Sequence, residues 1–379
     1  MAREQVDGGM RTQGGIALII VLAIVAILSI VVLEFTQSIR VEMYVSANYD
    51  AHTQALYSAK AGVEYAIYVL RSDEDLNKDW LGDSWAQPLE LTIGEIAPPP
   101  RPKGEEADED YELYDVSERE RDADAVEARD GGTARVAIAD EERKIGLTSL
   151  SGRSRTPGLM STALERLIED LHVPGASYNA TDLVEQMTDW VDDNDEGVWE
   201  YTYEGLEDPY TPPNRPFDSV YELRLLADMS DTLLYGTVPF PDDQETRDEY
   251  ENGLGADWSY GLINFVHTQS IDSINVNTAP REVLAALFDD PYVAEEIIER
   301  RRENGGFNNT SEVEALVKEM AGSDSEAARA LPVFAVRSLF YRITSVGEYH
   351  NVRVKITAVV YRSTRSDVTV QYYRVENVQ

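Results

Sequence analysis

From Ile16 to Leu33 the chain is apolar at every position except Ser29, and no charge falls between Arg11 and Glu34. As a helix this run would be about 27 Å long, close to the roughly 30 Å of a bilayer's hydrocarbon core. The pattern then changes to a stripe. Leu56, Ala59, Val63, Ala66 and Leu70 recur at spacings of three and four, which places them on one face of a continuing helix. Lys60, Glu64 and Arg71 fall elsewhere, and Ser72-Asp73 ends the pattern. A long N-terminal helix is therefore expected, apolar all round at first and amphipathic afterwards.

Farther along, residues 94–110 read GEIAPPPRPKGEEADED, a proline-rich acidic loop or linker. Short strand-like pieces follow, YELYDV at 111–116 and ARVAIAD at 134–140. From about Leu147 to Pro332 the periodicity is helical, as in LMSTALERLIEDL and ATDLVEQMTDWVDD. Alternation returns at the end. NVRVKITAVVY aligns Val352, Val354, Ile356, Ala358 and Val360, and DVTVQYYRV is expected to align Val368, Val370 and Tyr372. Strand, helical block, strand predicts an α+β fold, in which a small antiparallel sheet has one connection replaced by a large α-helical domain.

The apolar run could be a secretory signal, a membrane anchor or a buried helix. A secretory signal ends in a small-residue cleavage site, and EFTQSIRVEM offers none. The small residues Gly14 and Gly15 precede the run instead. A cut after them removes Met1–Gly15 and leaves the helix at the new N-terminus; an uncleaved signal anchor is the plain alternative. Met10 is as good a start as Met1, giving the leader MRTQGG.

Charge and composition narrow the function. The chain of 379 residues carries 70 acidic against 33 basic residues, a formal charge of −37. That field repels phosphate backbones and anionic lipid. No cysteine is present, so disulfide and thiol chemistry are excluded. G-x-S-x-G, H-E-x-x-H and a phosphate-binding glycine loop are missing, and His52, His172, His267 and His350 are scattered. The sequence reads as a non-enzyme.

Two constellations stand out in the helical block. Asp189–Asp208 holds nine carboxylates (Asp189, Asp192, Asp193, Asp195, Glu196, Glu200, Glu204, Glu207, Asp208) and no basic residue. Such density is repulsive unless water or a cation screens it. Calcium takes six to eight oxygens, and Asp193-x-Asp195-x-Gly197-x-x-Glu200 can fold several around one ion, although the spacing is not an EF-hand's. A solvated acidic loop is the alternative, and Trp190 reads as core. The second constellation is Ser273–Leu316. Thr278 is expected to cap a helix with Pro280 in its first turn, Gly305 and Gly306 to close the next, and Ser311 with Glu314 to form a capping box for a third. I-N-V-N-T-A, A-x-x-I-I-x-x-R and G-G-F resemble a helix-hairpin-helix module, which elsewhere often binds DNA. Its turn here is Asp289-Asp290-Pro291, two anions and a residue without an N–H, and Glu295, Glu296, Glu299 and Glu303 surround Arg300, Arg301 and Arg302. The module is expected to be structural.

Gly15 followed by Ile16, an apolar span and AKAGVEYAIYVL resembles the leader, anchor and A-x-AG-x-E-x-A continuation of type IV pilins and type II secretion pseudopilins. D-W-V-D-D-N-D and the N-V-N-T-A module resemble the α-domain of K-type minor pseudopilins. The resemblance implies cleavage between Gly15 and Ile16 by the prepilin peptidase and N-methylation of Ile16. It implies a tip position, because Ile20 stands where most pilins carry the glutamate that pairs with the terminal amine of a subunit already in the filament; a lone carboxylate in a bilayer costs about 3 kcal/mol. It implies structural calcium, for which Asp192, Asp193, Asp195 and Glu200 are the candidates. Implied partners are the I- and J-type minor pseudopilins, the major pseudopilin and the inner-membrane assembly platform, with no nucleic acid. The implied location is the inner membrane, with a single pass and the head in the periplasm. The expected organisation is a leader (1–15), a transmembrane helix (16–33), its amphipathic continuation (34–72), the first part of a pilin-like α/β head (73–146), an inserted α-domain (147–335, with the hairpin module at 273–316) and the head's terminal strands (336–379). The alternatives are a minor pilin of a type IV pilus and a membrane-tethered DNA-binding protein.

Overall fold

A computed structural model describes residues 11–93, 131–151, 156–171, 173, 178–194, 197–206, 208–238, 260–269 and 272–378, without the side chains of residues 11–17, 157 and 200. The expected loop at 94–110 and the strand at 111–116 lie outside these residues.

Helix α1 runs unbroken over Arg11–Arg71, 61 residues or about 90 Å. Its first half projects into solvent: Leu18, Ile20, Ile24 and Leu33 are all more than half exposed. Its second half lies on a five-stranded antiparallel sheet ordered β1-β2-β7-β8-β9. The strands are β1 (Leu89–Thr92), β2 (Thr133–Asp140), β7 (Phe340–Tyr349), β8 (Val352–Arg362) and β9 (Val368–Val378). Ala59, Val63, Ala66 and Leu70 meet Val136, Ile138, Ile343, Ile356 and Ala358 in one core. The helix sits close because two glycines leave room. A Cβ on Gly347 would stand 2.1 Å from the Ala55 carbonyl oxygen, and one on Gly62 would stand 2.7 Å from Val136 Cγ2.

The last strand corrects one expectation. The register shifts between Val359 and Val360, so that Val360 faces Val370 while Val359 faces Tyr372. One extra residue, Gln371, turns Tyr372 to the opposite face from Val368 and Val370, as a β-bulge does.

Everything between β2 and β7 is the inserted domain. It contains α2 (Pro157–Asp170), α3 (Ala180–Val191), α4 (Glu200–Glu204), a 3₁₀ turn (Val220–Leu225) and α5 (Asp231–Tyr235). The hairpin module follows as α6 (Arg281–Phe288), α7 (Pro291–Asn304), α8 (Thr310–Ala321) and α9 (Glu326–Ala330). Two short parallel ladders tie the domain together, β3 (Ile145–Gly146) with β4 (Val266–His267), and β5 (Ile274–Asn275) with β6 (Phe334–Ala335). Its core is separate from that of the head: Met160, Leu164, Leu183 and Met187 pack with Leu284, Leu287 and Ile297. Trp190 is core, stacked on Phe217 with ring centroids 5.8 Å apart and edge-on to Tyr203. Such ring pairs contribute about 0.5–1.5 kcal/mol beyond their buried area.

Two caps differ from expectation. Thr278 does not cap α6; its hydroxyl donates to Asp140, and the helix starts after Pro280. Helix α8 is capped by Asn309, whose side chain accepts from the Glu312 N–H, while Glu312 accepts from the Asn308 N–H. Asn309 precedes Ser311 and already satisfies the first turn, so Ser311 falls inside the helix. Gly305 ends α7 with φ of 68°, and Gly306 donates back to the Arg301 carbonyl at 2.7 Å. Both glycines occupy the left-handed region that a helix terminator of this kind requires.

Candidate functional site

Candidate functional residues fall in three places. Gly15 and Ile16 lie in the first turns of α1, and Ile20 is half exposed one turn further on. The span beginning at Leu18 is long and apolar enough to cross a membrane, and none of its apolar window is buried by the rest of the protein. A helix that hides nothing against its own domain while exposing this much aliphatic surface suits lipid or neighbouring helices rather than water.

The acidic stretch begins at the C-terminal end of α3, where Asp192 is the cap residue and no base lies in the last turn. Asp192, half-buried, accepts from the Asn194 N–H at 3.2 Å, and Asp193 is exposed. The loop then folds back on the helix. Asp189 accepts from the Trp199 N–H at 2.9 Å, and a Cβ on Gly197 would lie 2.2 Å from the Asp189 carboxylate. Burial, with help from Asp192 and Glu185, pushes the Asp189 carboxyl up from its ordinary value. Asp195 and the side chain of Glu200 lie outside the described residues, so the described part contains only half of the predicted ligand set.

The third place is one that sequence reasoning missed. Where the inserted domain meets the head, acids far apart in the chain converge around Arg362 at the end of β8. Arg362 is fully buried; its guanidinium donates to Asp73 at 2.8 Å, to Asp79 and to the Tyr341 hydroxyl. The nearest carboxylate oxygens of Asp73, Asp79 and Asp83 lie within 4.8 Å of one another, as in a metal cluster, but the cation among them is this guanidinium. Beside it, Asp140 at the end of β2 accepts from Asn275 Nδ2 at 3.1 Å, from the Ser338 hydroxyl at 2.6 Å and from Thr278. Asn275 also donates to the Asp79 carbonyl at 3.1 Å. Glu142 accepts from the Phe340 and Leu339 N–H groups and from Ser273. Burial, with repulsion from Asp79, pushes Asp140 up, and burial, with repulsion from Asp140, pushes Glu142 up. Burial alone would raise Glu141 too, yet Arg342 and Lys144 hold it well below the carboxylate range. The N-V-N-T segment therefore ties the insertion to the head. Asn277 closes the inner side, accepting from the Phe307 N–H at 2.7 Å and donating to its carbonyl at 3.0 Å.

Three of the hairpin's arginines are engaged locally. Arg300 pairs with Glu296 at 2.6 Å, Arg281 with Glu295 at 3.1 Å, and buried Arg301 donates to the Val276 and Ala279 carbonyls at 2.8 Å.

A half-exposed apolar helix laid on an antiparallel sheet defines a pilin-like subunit, here one whose sheet is interrupted by an α-domain. Family models described as "Type II secretion system (T2SS), protein K" match residues 144–240 and 274–336, and one described as "PilX N-terminal" matches residues 14–64. The chain is 27% identical to the type II secretion system protein K of Pseudomonas aeruginosa over 310 residues, covering 78% of this chain and 74% of that one. It is 26% identical to the protein K of Aeromonas hydrophila over 247 residues, covering 61% and 63%. A solved structure of the GspK-GspI-GspJ complex from enterotoxigenic Escherichia coli contains a chain with the same fold, at a TM-score of 0.59 and 16% identity, covering 87% of this chain and 99% of that one. Over most of its length the chain is thus similar to type II secretion system protein K, and the matches support a minor pseudopilin of that system.

Proposed function

We propose that this protein occupies the tip of a pseudopilus, starts its assembly together with I- and J-type minor pseudopilins, and so serves the export of folded proteins across an outer membrane. One observation carries the reading: the inserted domain is docked at the end of α1 remote from the apolar span. Lys78, just beyond the helix, donates to the Gly305 carbonyl at 2.9 Å, and the Asp79 N–H donates to the Val336 carbonyl at 2.9 Å. A domain held there stands where the next subunit outward would have to stack. Ile20 agrees with it, because a subunit with nothing beyond it gains nothing from a membrane carboxylate. Cleavage between Gly15 and Ile16 by prepilin peptidase, methylation of Ile16 and lateral release into the inner membrane, with the head in the periplasm, precede assembly. Major pseudopilins and the assembly platform act on the complex afterwards. The role is architectural, with no catalytic step.

Structural calcium belongs to the same proposal. The negative end of the α3 dipole meets Asp192 and Asp193 with no base in the last turn, an arrangement costing about 0.3–1 kcal/mol per charge that a cation would reverse. The donors are hard oxygens on one short loop, which suits calcium. Asp192, Asp193, Asp195 and Glu200 would hold the ion, and it would fix the loop against α3.

The test is reconstitution in membranes with the I- and J-type pseudopilins. A stable ternary complex, and loss of secretion but not of the complex on deleting residues 147–335, is the expected result. A chain that polymerises as a repeating subunit, or that keeps its leader where prepilin peptidase is active, would refute the reading.

A further inference from the structure

On the face of the sheet opposite α1, the 3₁₀ turn Val220–Leu225 overhangs the strands and encloses a cavity of about 180 Å³. Its floor is Arg342 and Thr344 of β7, Lys355 and Thr357 of β8 and Arg374 of β9. Its roof includes Tyr221, whose ring lies 4.9 Å from the Arg374 guanidinium. This lining is anomalous in a chain of formal charge −37. Lys144 and Arg342 share the one carboxylate of buried Glu141, the lysine at 3.3 Å. Lys355 and Arg374 share Glu376, at 3.2 and 2.8 Å. The three cations of the lining, Arg342, Lys355 and Arg374, face only these two carboxylates, one of which is also drawn on by Lys144 behind the wall, so the cleft keeps a surplus of positive charge. The acid at the mouth, Asp218, is bonded to Arg215 at 2.6 Å, and His267, buried beneath, has its pKa pushed down to about 4 by burial and stays neutral.

We infer that this cleft is a docking site for an acidic segment of another protein, which enters extended beneath the 3₁₀ turn and places a carboxylate between Lys355 and Arg374. Charge complementarity selects that occupant. The two cations hold one anion between them and have donors to spare, since a lysine carries three and an arginine five. Thr344 and Thr357 offer hydroxyls along the floor, so the incoming backbone also finds partners. The cavity admits one or two side chains and not a folded surface. The inference stands apart from the tip position proposed above, because it concerns a face of the sheet that neither α1 nor the hub uses.

Fluorescence anisotropy on the full chain in detergent tests it, with a labelled peptide of about ten alternating Glu and Val residues and its Gln-for-Glu counterpart. The acidic peptide should bind at least about tenfold tighter, the worth of one charge-assisted hydrogen bond. Lys355→Glu with Arg374→Glu should lose at least that factor, with Lys355→Gln and Arg374→Gln as gentler variants should the reversal unfold. Arg302→Glu with Arg329→Glu makes the same change of net charge on the hairpin module and should shift binding less than about twofold. Equal binding of both peptides, equal loss in the control pair, or self-association of the head in place of peptide binding would each overturn the inference.

Discussion

The stretch Asp189–Asp208 and the scattered acids Asp73, Asp79, Asp140 and Glu142 carry the same chemical group into opposite situations. The first is dense in sequence, and most of its described carboxylates face solvent. The second spans most of the chain, yet folding brings its members into a buried hub with one guanidinium and a set of amide, hydroxyl and backbone donors. Density along the chain therefore says little about energetic weight. A solvated carboxylate costs and contributes little, whereas a buried one is held only by the partners that folding supplies.

The sharpest way to break the contrast is Arg362→Met. It leaves Asp73 and Asp79 buried without their cation, and a loss of about 3–5 kcal/mol in urea unfolding at pH 7 is expected. The loss should shrink in mild acid, because burial already pushes the Asp79 carboxyl up and the neutral form needs no cation. A loss below 1 kcal/mol would mean that the hub is not what joins the insertion to the head.

Next comes calcium. At a free concentration one hundred times its dissociation constant, the ion should stabilise the insertion by about 2.7 kcal/mol, and a chelator should remove that gain. Asp193→Ala should abolish the response, seen as a melting temperature indifferent to calcium. If Arg362→Met abolished it as well, the two acidic regions would be energetically one.

The third effect is a pH dependence. Asp140 and Glu142 have raised folded-state values, so the folded protein holds protons that the unfolded chain releases above about pH 4. Their stabilisation is full below that range and is lost as pH rises through the raised values. Glu141, held low, acts in the opposite sense and loses its contribution only in acid. Stability should fall between pH 5.5 and pH 8, and Glu142→Gln should flatten that fall by about 3 kcal/mol, at about 1.4 kcal/mol for each pH unit over which folded Glu142 keeps a proton that the unfolded chain has released. An unchanged slope in chemical denaturation would place the titration elsewhere. The smallest effect is expected at Glu204, exposed on α4, where Gln should change stability by less than about 0.5 kcal/mol.

What the sequence disclosed follows from range. The apolar helix, the amphipathic stripe at Ala59, Val63 and Ala66 and the alternation of β8 are local periodicities, and the structure contains each where the pattern placed it. Trp190 as core followed from its place on the apolar face of α3. Caps were harder: Asn309 and Ser311 are both good candidates, and only the start of the helix decides between them. The bulge at Gln371 left no mark in the alternation, because Tyr372 and Tyr373 suit either face. The hub was illegible for a deeper reason. Asp73, Asp140, Asn275, Ser338 and Arg362 lie on five separate segments, and no spacing relates them. Only the N-V-N-T run hints at it, and its sequence context is that of a helical hairpin rather than a clasp.

The insertion leaves the sheet after Asp140 and returns to it beside Tyr341, its antiparallel partner on the neighbouring strand. β2 and β7 thus touch in space but are separated in manufacture by residues 141–339. A chain made from its N-terminus presents α1, β1 and β2 first, and β2 then waits with an open edge until the whole α-domain has followed. Pairing so remote along the chain is slow, and an open edge is sticky in the meantime. The order of birth thus sets a delay: the head cannot lock onto its helix before the inserted domain has been delivered.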